Sequence, residues 1–151
     1  MINKAIMTFL MSMVPVIELR GAIPFGIVSG LSVPLTFILA VVGNLLPIPI
    51  LVVFTRKVFE WLRTKSEKLN NLVCKLEAKA DKNKALVEKS EFWGLMILVA
   101  IPLPGTGAWT GALVAAMLNM RLKRAMPAII VGVIVAGIIV TVITCGAGAI
   151  L

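Results

Sequence analysis

The placement of charged residues along the chain constrains its fold more than any other feature. Residues 21–55, 92–120 and 125–151 contain no Asp, Glu, Lys or Arg, whereas residues 56–91 contain ten basic and six acidic side chains. Each uncharged stretch is longer than the roughly 20 residues that a helix needs to cross the hydrocarbon core of a bilayer. Hydrophobic residues make up 60% of the chain, against roughly 45–50% in soluble domains. The pattern predicts an all-α integral membrane protein with a single membrane domain.

Two segments are predicted to cross the membrane as helices, residues 33–55 and residues 125–151. Pro47 and Pro49 predict a kink in the first of them, because proline removes a backbone hydrogen bond from a helix. The charged residues 56–91 place their apolar side chains at near-helical spacing, which predicts an amphipathic helical linker. Its excess of positive charge predicts that this linker is cytoplasmic. A solvated linker helix with no further role is the alternative interpretation.

Residues 92–120 fit a hairpin that enters and leaves the membrane on the same side. The segment has 29 residues, whereas two full crossings need about 40. One full crossing would place the basic residues of 121–124 outside, against the positive-inside rule. The stretch from Pro102 to Gly107 breaks a helix near the middle of the segment. We therefore predict a re-entrant hairpin of two half-helices that meet near the bilayer midplane, with a single kinked crossing as the alternative.

The N-terminal residues 1–32 are predicted to form another hairpin, with its break between Glu18 and Pro24. A Gly-Ala pair that begins at Gly21 in this break recurs at Gly107 in the other one. Each hairpin is followed by one crossing helix, and the two crossings run in opposite senses. The sequence thus predicts an inverted repeat of a re-entrant helical hairpin plus a transmembrane helix. Inverted repeats with broken helices are typical of transporters.

Glu18 and Arg20 are the ionisable residues that lie outside the basic clusters, apart from Lys4. Charges at membrane depth usually face a protein interior or a water-filled cavity. We therefore predict that Arg20 binds an anionic group such as a phosphate and that Glu18 carries a proton. Two alternatives remain: a Glu18–Arg20 pair that only holds the hairpin tip, or a shallow hairpin with both charges at the outer interface.

The second break is predicted to complete this site with backbone groups. Thr106 is the expected N-cap of a half-helix that starts near Ala108, and the N-terminus of that helix would face the anion. Pro24 is expected early in the returning half-helix of the first hairpin. Trp109 is either a packing residue or a lid. The predicted substrate-binding residues of the two tips are Gly21, Pro24, Pro102, Pro104, Gly105, Thr106, Gly107, Trp109 and Thr110.

Asn44 and Arg121 are predicted as accessory residues of the site. Asn44 is polar and lies inside the first crossing helix, where a bond to a neighbouring helix explains it more readily than contact with substrate. Arg121 belongs to the short basic cluster before the last helix.

Two motifs resemble those of a known family. Glu18-Leu-Arg-Gly-Ala-Ile-Pro24 and Pro102-Leu-Pro-Gly-Thr-Gly-Ala-Trp-Thr-Gly111 resemble the small multi-drug export proteins of bacteria and archaea, a group that is similar to the DedA superfamily with its VTT-domain proteins. The resemblance implies paired hairpins, commonly in a dimer, and movement of phospholipids or undecaprenyl phosphate, in some members with proton dependence. It also implies that Glu18 is the functional acidic residue. DedA proteins usually carry arginines in the second hairpin region, where this chain has none, and Arg20 and Arg121 are the nearest candidates.

Three functions are compatible with these features. We expect a multi-pass homodimer of the cell membrane that moves a lipid or lipid-phosphate, coupled to protons through Glu18. The first alternative is a proton-coupled exporter of hydrophobic cations, and the second is a membrane scaffold without transport. An enzyme is not expected, because the chain has no His for a Ser/His/Asp or Cys/His set. No cofactor or metal is expected, and the net charge of +8 is attributed to membrane topology rather than to nucleic-acid binding.

Overall fold

The computed structural model describes residues 1–75, 78, 91–103 and 106–150, and every regular element in that part of the chain is a helix. The predicted site residues Pro104 and Gly105 and most of the second half of the predicted linker lie outside the described residues. The helices are α1 (Ile2–Met13), α2 (Glu18–Val28), α3 (Val33–Leu45), α4 (Ile48–Lys65), α5 (67–75), α6 (Glu91–Ala100), α7 (Ala108–Met117) and α8 (Leu122–Ile150).

Helices α1 and α2 form a hairpin that packs on α3. The Lys4 ammonium donates to the carbonyl of Ser29 at 2.7 Å, so both ends of the hairpin lie near the start of α3. Gly26 fits closely between α1 and α3, because an added Cβ would lie 3.0 Å from Thr36 Oγ1 and 3.1 Å from Thr8 Cγ2. Further along, a Cβ at Gly43 would lie 2.6 Å from the carbonyl oxygen of Phe9. The turn of this hairpin is therefore near the end of α3.

Helices α6 and α7 form a second hairpin, which packs on α8 in the same manner. Glu91 at the start of α6 pairs with Arg124 at the start of α8, at 3.5 Å. One face of α6 then reaches Gly132, where an added Cβ would lie 2.7 Å from Val99 Cβ and 2.8 Å from the Met96 carbonyl oxygen. Gly132 is about 15 Å along α8 at 1.5 Å per residue. The turn of the second hairpin thus lies beside the middle of α8.

The two hairpin units pack through α2 and α3 against α8, and through α4 against α7. Phe37 and Val41 of α3 lie beside Gly137 of α8. Phe37 and Val41 precede Gly43, which marks the level of the first turn, whereas Gly137 follows Gly132, which marks the level of the second turn. Because the two turns meet, α3 and α8 run in opposite directions. The buried core is rich in alanine, and such small residues let membrane helices approach closely. Its fully buried alanines are Ala22, Ala40, Ala108, Ala112, Ala115, Ala125 and Ala128.

Two helical segments of the described chain are long and apolar enough to cross a membrane, Val33–Lys65 and Leu122–Gly148. The first contains the predicted kink, because α3 ends at Leu45 and α4 starts at Ile48 after Pro47. The helix is therefore interrupted where the kink was predicted. The apolar part of α4 continues without a break into the charged residues that follow Thr55.

The predicted break of the first hairpin, between Glu18 and Pro24, is wrong. The chain breaks after Met13, where Val14 adopts an extended conformation (φ −77°, ψ 131°). A residue before proline is pushed out of the helical region, and Pro15 follows Val14 directly. Pro24 lies in the interior of α2 and not near its start. The helix tolerates it, since proline removes one hydrogen bond and tertiary packing holds the rest.

Candidate functional site

The turns of the two hairpins meet, and the contact is made by Glu18 and Arg20 at the start of α2. Glu18 is the first residue of α2 and has a left-handed backbone conformation, with φ at 50°. The two side chains reach different parts of the second turn. Glu18 contacts the beginning of α7, whereas Arg20 contacts the segment that follows α6. We call these two contact regions together the tip contact.

The Glu18 carboxylate lies at the N-terminus of α7 and is only 4% exposed. Its Oε1 accepts the backbone N–H of Trp109 at 3.4 Å. It also lies against Gly107, where an added Cβ would stand 2.8 Å from Oε1 and 2.9 Å from Cδ. Helix N-termini carry unpaired N–H groups and a partial positive charge, so a carboxylate is stabilising there. The first hairpin thus supplies the cap for a helix of the second.

The prediction that Thr106 caps α7 is wrong, although the helix does start at Ala108. The N-cap position is Gly107, which has a φ of 134° and no side chain to bond with. The Thr106 hydroxyl turns back to the carbonyl oxygens of Ile101, at 2.6 Å, and Leu103, at 2.8 Å. The Glu18 carboxylate takes the place that the threonine was expected to fill.

Arg20 binds the backbone along the second turn, from Ile101 to Thr106. Its Nη1 donates to the carbonyls of Leu103 at 2.7 Å and Thr106 at 2.6 Å. Its Nη2 donates to the carbonyl of Ile101 at 2.9 Å and approaches the Thr106 hydroxyl oxygen at 3.0 Å. These carbonyls belong to the turn that follows α6, which ends at Ala100. The terminal guanidinium nitrogens therefore satisfy the backbone of the second turn, where the sequence suggested an external anion.

A cleft of about 540 Å³ opens beside the tip contact. This volume is within the range of small-molecule pockets, about 300–1,000 Å³. Among the residues that the structure describes, Glu18 is the one buried side chain that can carry a charge. The cleft therefore combines apolar side chains with the buried carboxylate of Glu18, the side chain of Arg20 and two threonines. It is lined by Pro15, Val16, Glu18, Arg20, Pro102, Leu103, Thr106 and Thr110.

Comparison with known proteins finds one family. The family model described as "Putative small multi-drug export protein" matches residues 18–139, which run from the start of α2 through the second hairpin turn and into α8. The chain belongs to this family. No curated protein and no solved structure matches the chain. The family description, together with the two apolar helical segments, indicates a membrane protein of the transporter class rather than an enzyme.

Several of the predicted site residues lie away from the cleft wall. Trp109 is half-buried and packs against the core, while its indole Nε1 is buried without a partner in the described part of the chain. Gly21 packs on the side chain of Ile17. Arg121 precedes α8 at the far end of α7 and is exposed, so the structure does not bring it to the tips.

Asn44 differs from expectation in its bonding. Its side chain is fully buried, yet neither amide atom has a hydrogen-bond partner among the described residues. The expected bond to a neighbouring helix is therefore not present. Asn44 follows Val41 by three residues, which places it on the helix face that packs against α8. That position is level with the two hairpin turns.

The backbone partners of Glu18 and Arg20 have no direct signal in the sequence. The carbonyls of Ile101 and Leu103 carry no side-chain signature, and Pro15 and Val16 were not singled out. One signal was present in Gly107, since a second glycine two residues after Gly105 indicates a close approach of another group. In the described part of the chain, no group of three Cys, Asp or Glu side chains is placed to hold a metal ion.

Proposed function

We propose that this protein is a proton-coupled exporter of hydrophobic cations, in which Glu18 binds a proton and the cation in turn. One observation carries the proposal: the buried carboxylate of Glu18 lies in the wall of a cleft of small-molecule size. The family description, that of an export protein, supports the transporter class. A carboxylate is the natural partner for both a proton and a cation, so one site serves both ligands by exchange.

The bonding of the tip contact favours a cation over a lipid phosphate. An anionic head group needs free donors, but the terminal nitrogens of Arg20 already donate to oxygens of the second turn. The N-terminus of α7 already has a carboxylate against it. A phosphate would have to displace Glu18 and break the bonds of Arg20. A hydrophobic cation that pairs with Glu18 leaves the bonds of Arg20 in place, and Pro15, Val16 and Leu103 offer it apolar surface.

The charge on Glu18 also provides a means of opening the cleft. An ionised carboxylate stabilises the N-terminus of α7, whereas a neutral one loses most of that interaction. Binding of a proton or a cation therefore weakens the tip contact. Weakening it lets the two hairpins separate and exposes the cleft. Release of the ligand restores the contact and closes the cleft again.

We further propose that both hairpins are re-entrant, that they enter from opposite sides of the cell membrane, and that residues 56–91 are cytoplasmic. Two features support this arrangement: each hairpin has both ends near the start of its long helix, and α3 and α8 run in opposite directions. Two crossings and two hairpins are too few to enclose a path alone. A homodimer is therefore the proposed transport unit, and its mass in mild detergent tests this.

The decisive experiment uses purified protein in liposomes with an imposed proton gradient. We expect uptake of a radiolabelled tetraphenylphosphonium probe against a control without protein, and loss of that uptake in Glu18→Gln. Glu67→Gln is the matched control, since it makes the same chemical change at an exposed position of α5. A fluorescent phosphatidylglycerol tests the lipid alternative in the same vesicles.

The outcomes separate the candidate functions. Loss of cation uptake in Glu18→Gln but not in Glu67→Gln supports the proposal. Movement of the fluorescent lipid without movement of the cation would refute it and favour lipid translocation. A protein that moves neither probe, and whose Glu18→Gln variant fully complements a null strain, would instead be a scaffold.

A further inference from the structure

A second pocket lies at the other end of α7, between α4 and the turn that leads into α8. It is a cavity of about 130 Å³ whose side chains come mainly from one face of α4. Arg56 donates through Nη2 to the carbonyl of Met120, which joins α4 to the turn. The Nε of Arg56 is buried and has no acceptor among the described residues. The side chains of the pocket include Arg56, Phe59, Glu60, Arg63, Met117 and Asn119.

The surroundings of this pocket have the chemistry of a membrane–water interface. Along α4, the apolar stretch ends at Thr55 and is followed by Arg56 and Lys57. Trp61 is 56% exposed, and the Lys65 ammonium lies 4.8 Å from the centre of its ring. Aromatic and basic residues at helix ends are typical of the level of lipid head groups.

Residues typical of the membrane–water interface also lie in the second hairpin unit, at the start of α6. Phe92 and Trp93 begin α6 and form an edge-to-face pair with ring centres 5.6 Å apart. Their neighbour Glu91 pairs with Arg124 of α8, within the basic cluster that also contains Lys123. Basic and aromatic groups therefore mark the starts of α6 and α8 as well as the charged part of α4 that lines the pocket.

We propose that this pocket binds the phosphate of an anionic phospholipid. Arginine presents planar donors that match phosphate oxygens, and Arg56, whose Nε has no acceptor among the described residues, lines one cavity together with Arg63. Basic pockets between helices on the cytoplasmic side are suited to anionic head groups. Glu60 is the one acidic side chain among the described residues of the pocket. Its charge reduces the attraction between the two arginines and a phosphate without cancelling it.

A groove on the same helix provides for the lipid chain. This groove has a volume of about 420 Å³ and runs beside the apolar part of α4. Its lining is apolar except for Lys57, which lies at the start of the charged part of α4. A phospholipid fits this order of groups, with an acyl chain along α4 and the head group at the basic end. The groove is lined by Pro49, Ile50, Val53, Phe54, Lys57 and Leu122.

This lipid site is separate from the transport cleft. The ten residues of α7 lie between them, about 15 Å at 1.5 Å per residue. The inference therefore does not depend on the substrate of the cleft. Its expected effect is to stabilise the packing of α4 on α7 in membranes that contain acidic lipid.

Native mass spectrometry of the full chain in detergent tests the site, with titration of phosphatidylglycerol and phosphatidylcholine. We expect phosphatidylglycerol to bind more tightly, and Arg63→Gln to weaken that binding about fivefold, since a basic residue near the head groups contributes about 1 kcal/mol. Adding Arg56→Gln should weaken it further. The control for this double variant is Lys68→Gln with Lys75→Gln, which also removes two positive charges, from exposed positions of α5. It should leave the affinity unchanged.

Arg56→Gln also removes the bond to Met120 and can impair folding. A second variant is therefore chosen to increase binding rather than to reduce it. Glu60→Gln removes the opposing charge and should tighten phosphatidylglycerol binding severalfold. Equal binding of the two lipids, or equal losses in the pocket variant and the Lys68/Lys75 control, would overturn the proposal. Inorganic phosphate that binds with the same dependence on Arg63 and as tightly as the lipid would assign the pocket to a soluble anion and also overturn it.

Discussion

Replacement of Gly107 by alanine tests the tip contact most directly. Gly107 has a φ of 134° and a ψ of −172°, a region of backbone conformation that is essentially restricted to glycine. The added methyl group would also stand 2.8 Å from Glu18 Oε1 and 2.9 Å from Glu18 Cδ. Real Cβ atoms do not approach other atoms so closely. The carboxylate must therefore move away from the N-terminus of α7.

The expected cost has two parts. Strain at such a backbone position is of the order of 1–3 kcal/mol. Displacement of a buried carboxylate from a helix N-terminus adds about 1–2 kcal/mol. We therefore expect Gly107→Ala to lower the free energy of unfolding by about 2–5 kcal/mol. Gly30 is the matched control, since it also has a positive φ, 86°, but an added Cβ there would meet nothing within 4 Å. Gly30→Ala should cost only about 1–2 kcal/mol.

The assay is reversible unfolding in mixed detergent micelles, followed by helical circular dichroism. The double variant Gly107→Ala with Glu18→Ala isolates the contact, because the methyl group then has no carboxylate to displace. The two changes should be non-additive by about 1 kcal/mol or more. If Gly107→Ala costs no more than Gly30→Ala, or if the changes add, the carboxylate does not lie against Gly107.

Three further predictions concern the charges, the topology and the packing. Glu18→Arg and Arg20→Glu should each abolish transport in liposomes, and the double variant that exchanges the two charges should not regain it. The reason is that Glu18 meets the start of α7 whereas Arg20 binds carbonyls of the second turn, so neither charge has the other as its main partner. In a cysteine-free background, Lys123→Cys should resist an impermeant thiol reagent in intact cells and react once the membrane is opened, whereas labelling from outside would exclude the re-entrant hairpin. Gly132→Ala should destabilise the protein by about 1–3 kcal/mol, since its Cβ would meet the Met96 carbonyl, while Gly146→Ala, with nothing within 4 Å, should change stability little in the same unfolding assay.

Much of the fold could be predicted because its causes are local. The length of α8 follows from an uncharged stretch, the kink before α4 from Pro47, and the start of α7 from the breakers that precede it. The first hairpin contains two prolines, Pro15 and Pro24, and the sequence does not say which one breaks the helix. Packing decides it, because Gly26 lies close to Thr36 and α2 must continue through Pro24 to make that contact.

The candidate site could be predicted in part. Glu18 and Arg20 were identifiable because charges are rare in this part of the chain. Their partners were not, since Arg20 bonds to backbone oxygens 81 to 86 residues away. Carbonyl groups have no sequence signature. The same limit applies to the cap of α7, where the local rule favoured Thr106 and a distant carboxylate takes that position.

The tip contact solves a problem that any broken helix faces inside a membrane. The end of α6 leaves carbonyls unpaired and the start of α7 leaves N–H groups unpaired, with no water in a bilayer core to satisfy them. Arg20 donates to carbonyls of the turn between α6 and α7, and Glu18 accepts from the start of α7, so one short segment of α2 binds both. This division has a consequence for the proposed function. In the proposed exchange, a proton or a cation at Glu18 leaves the start of α7 without its acceptor, while Arg20 still binds the carbonyls of the turn. The turn then stays anchored while α7 loses its cap, which is the asymmetry that a gate needs.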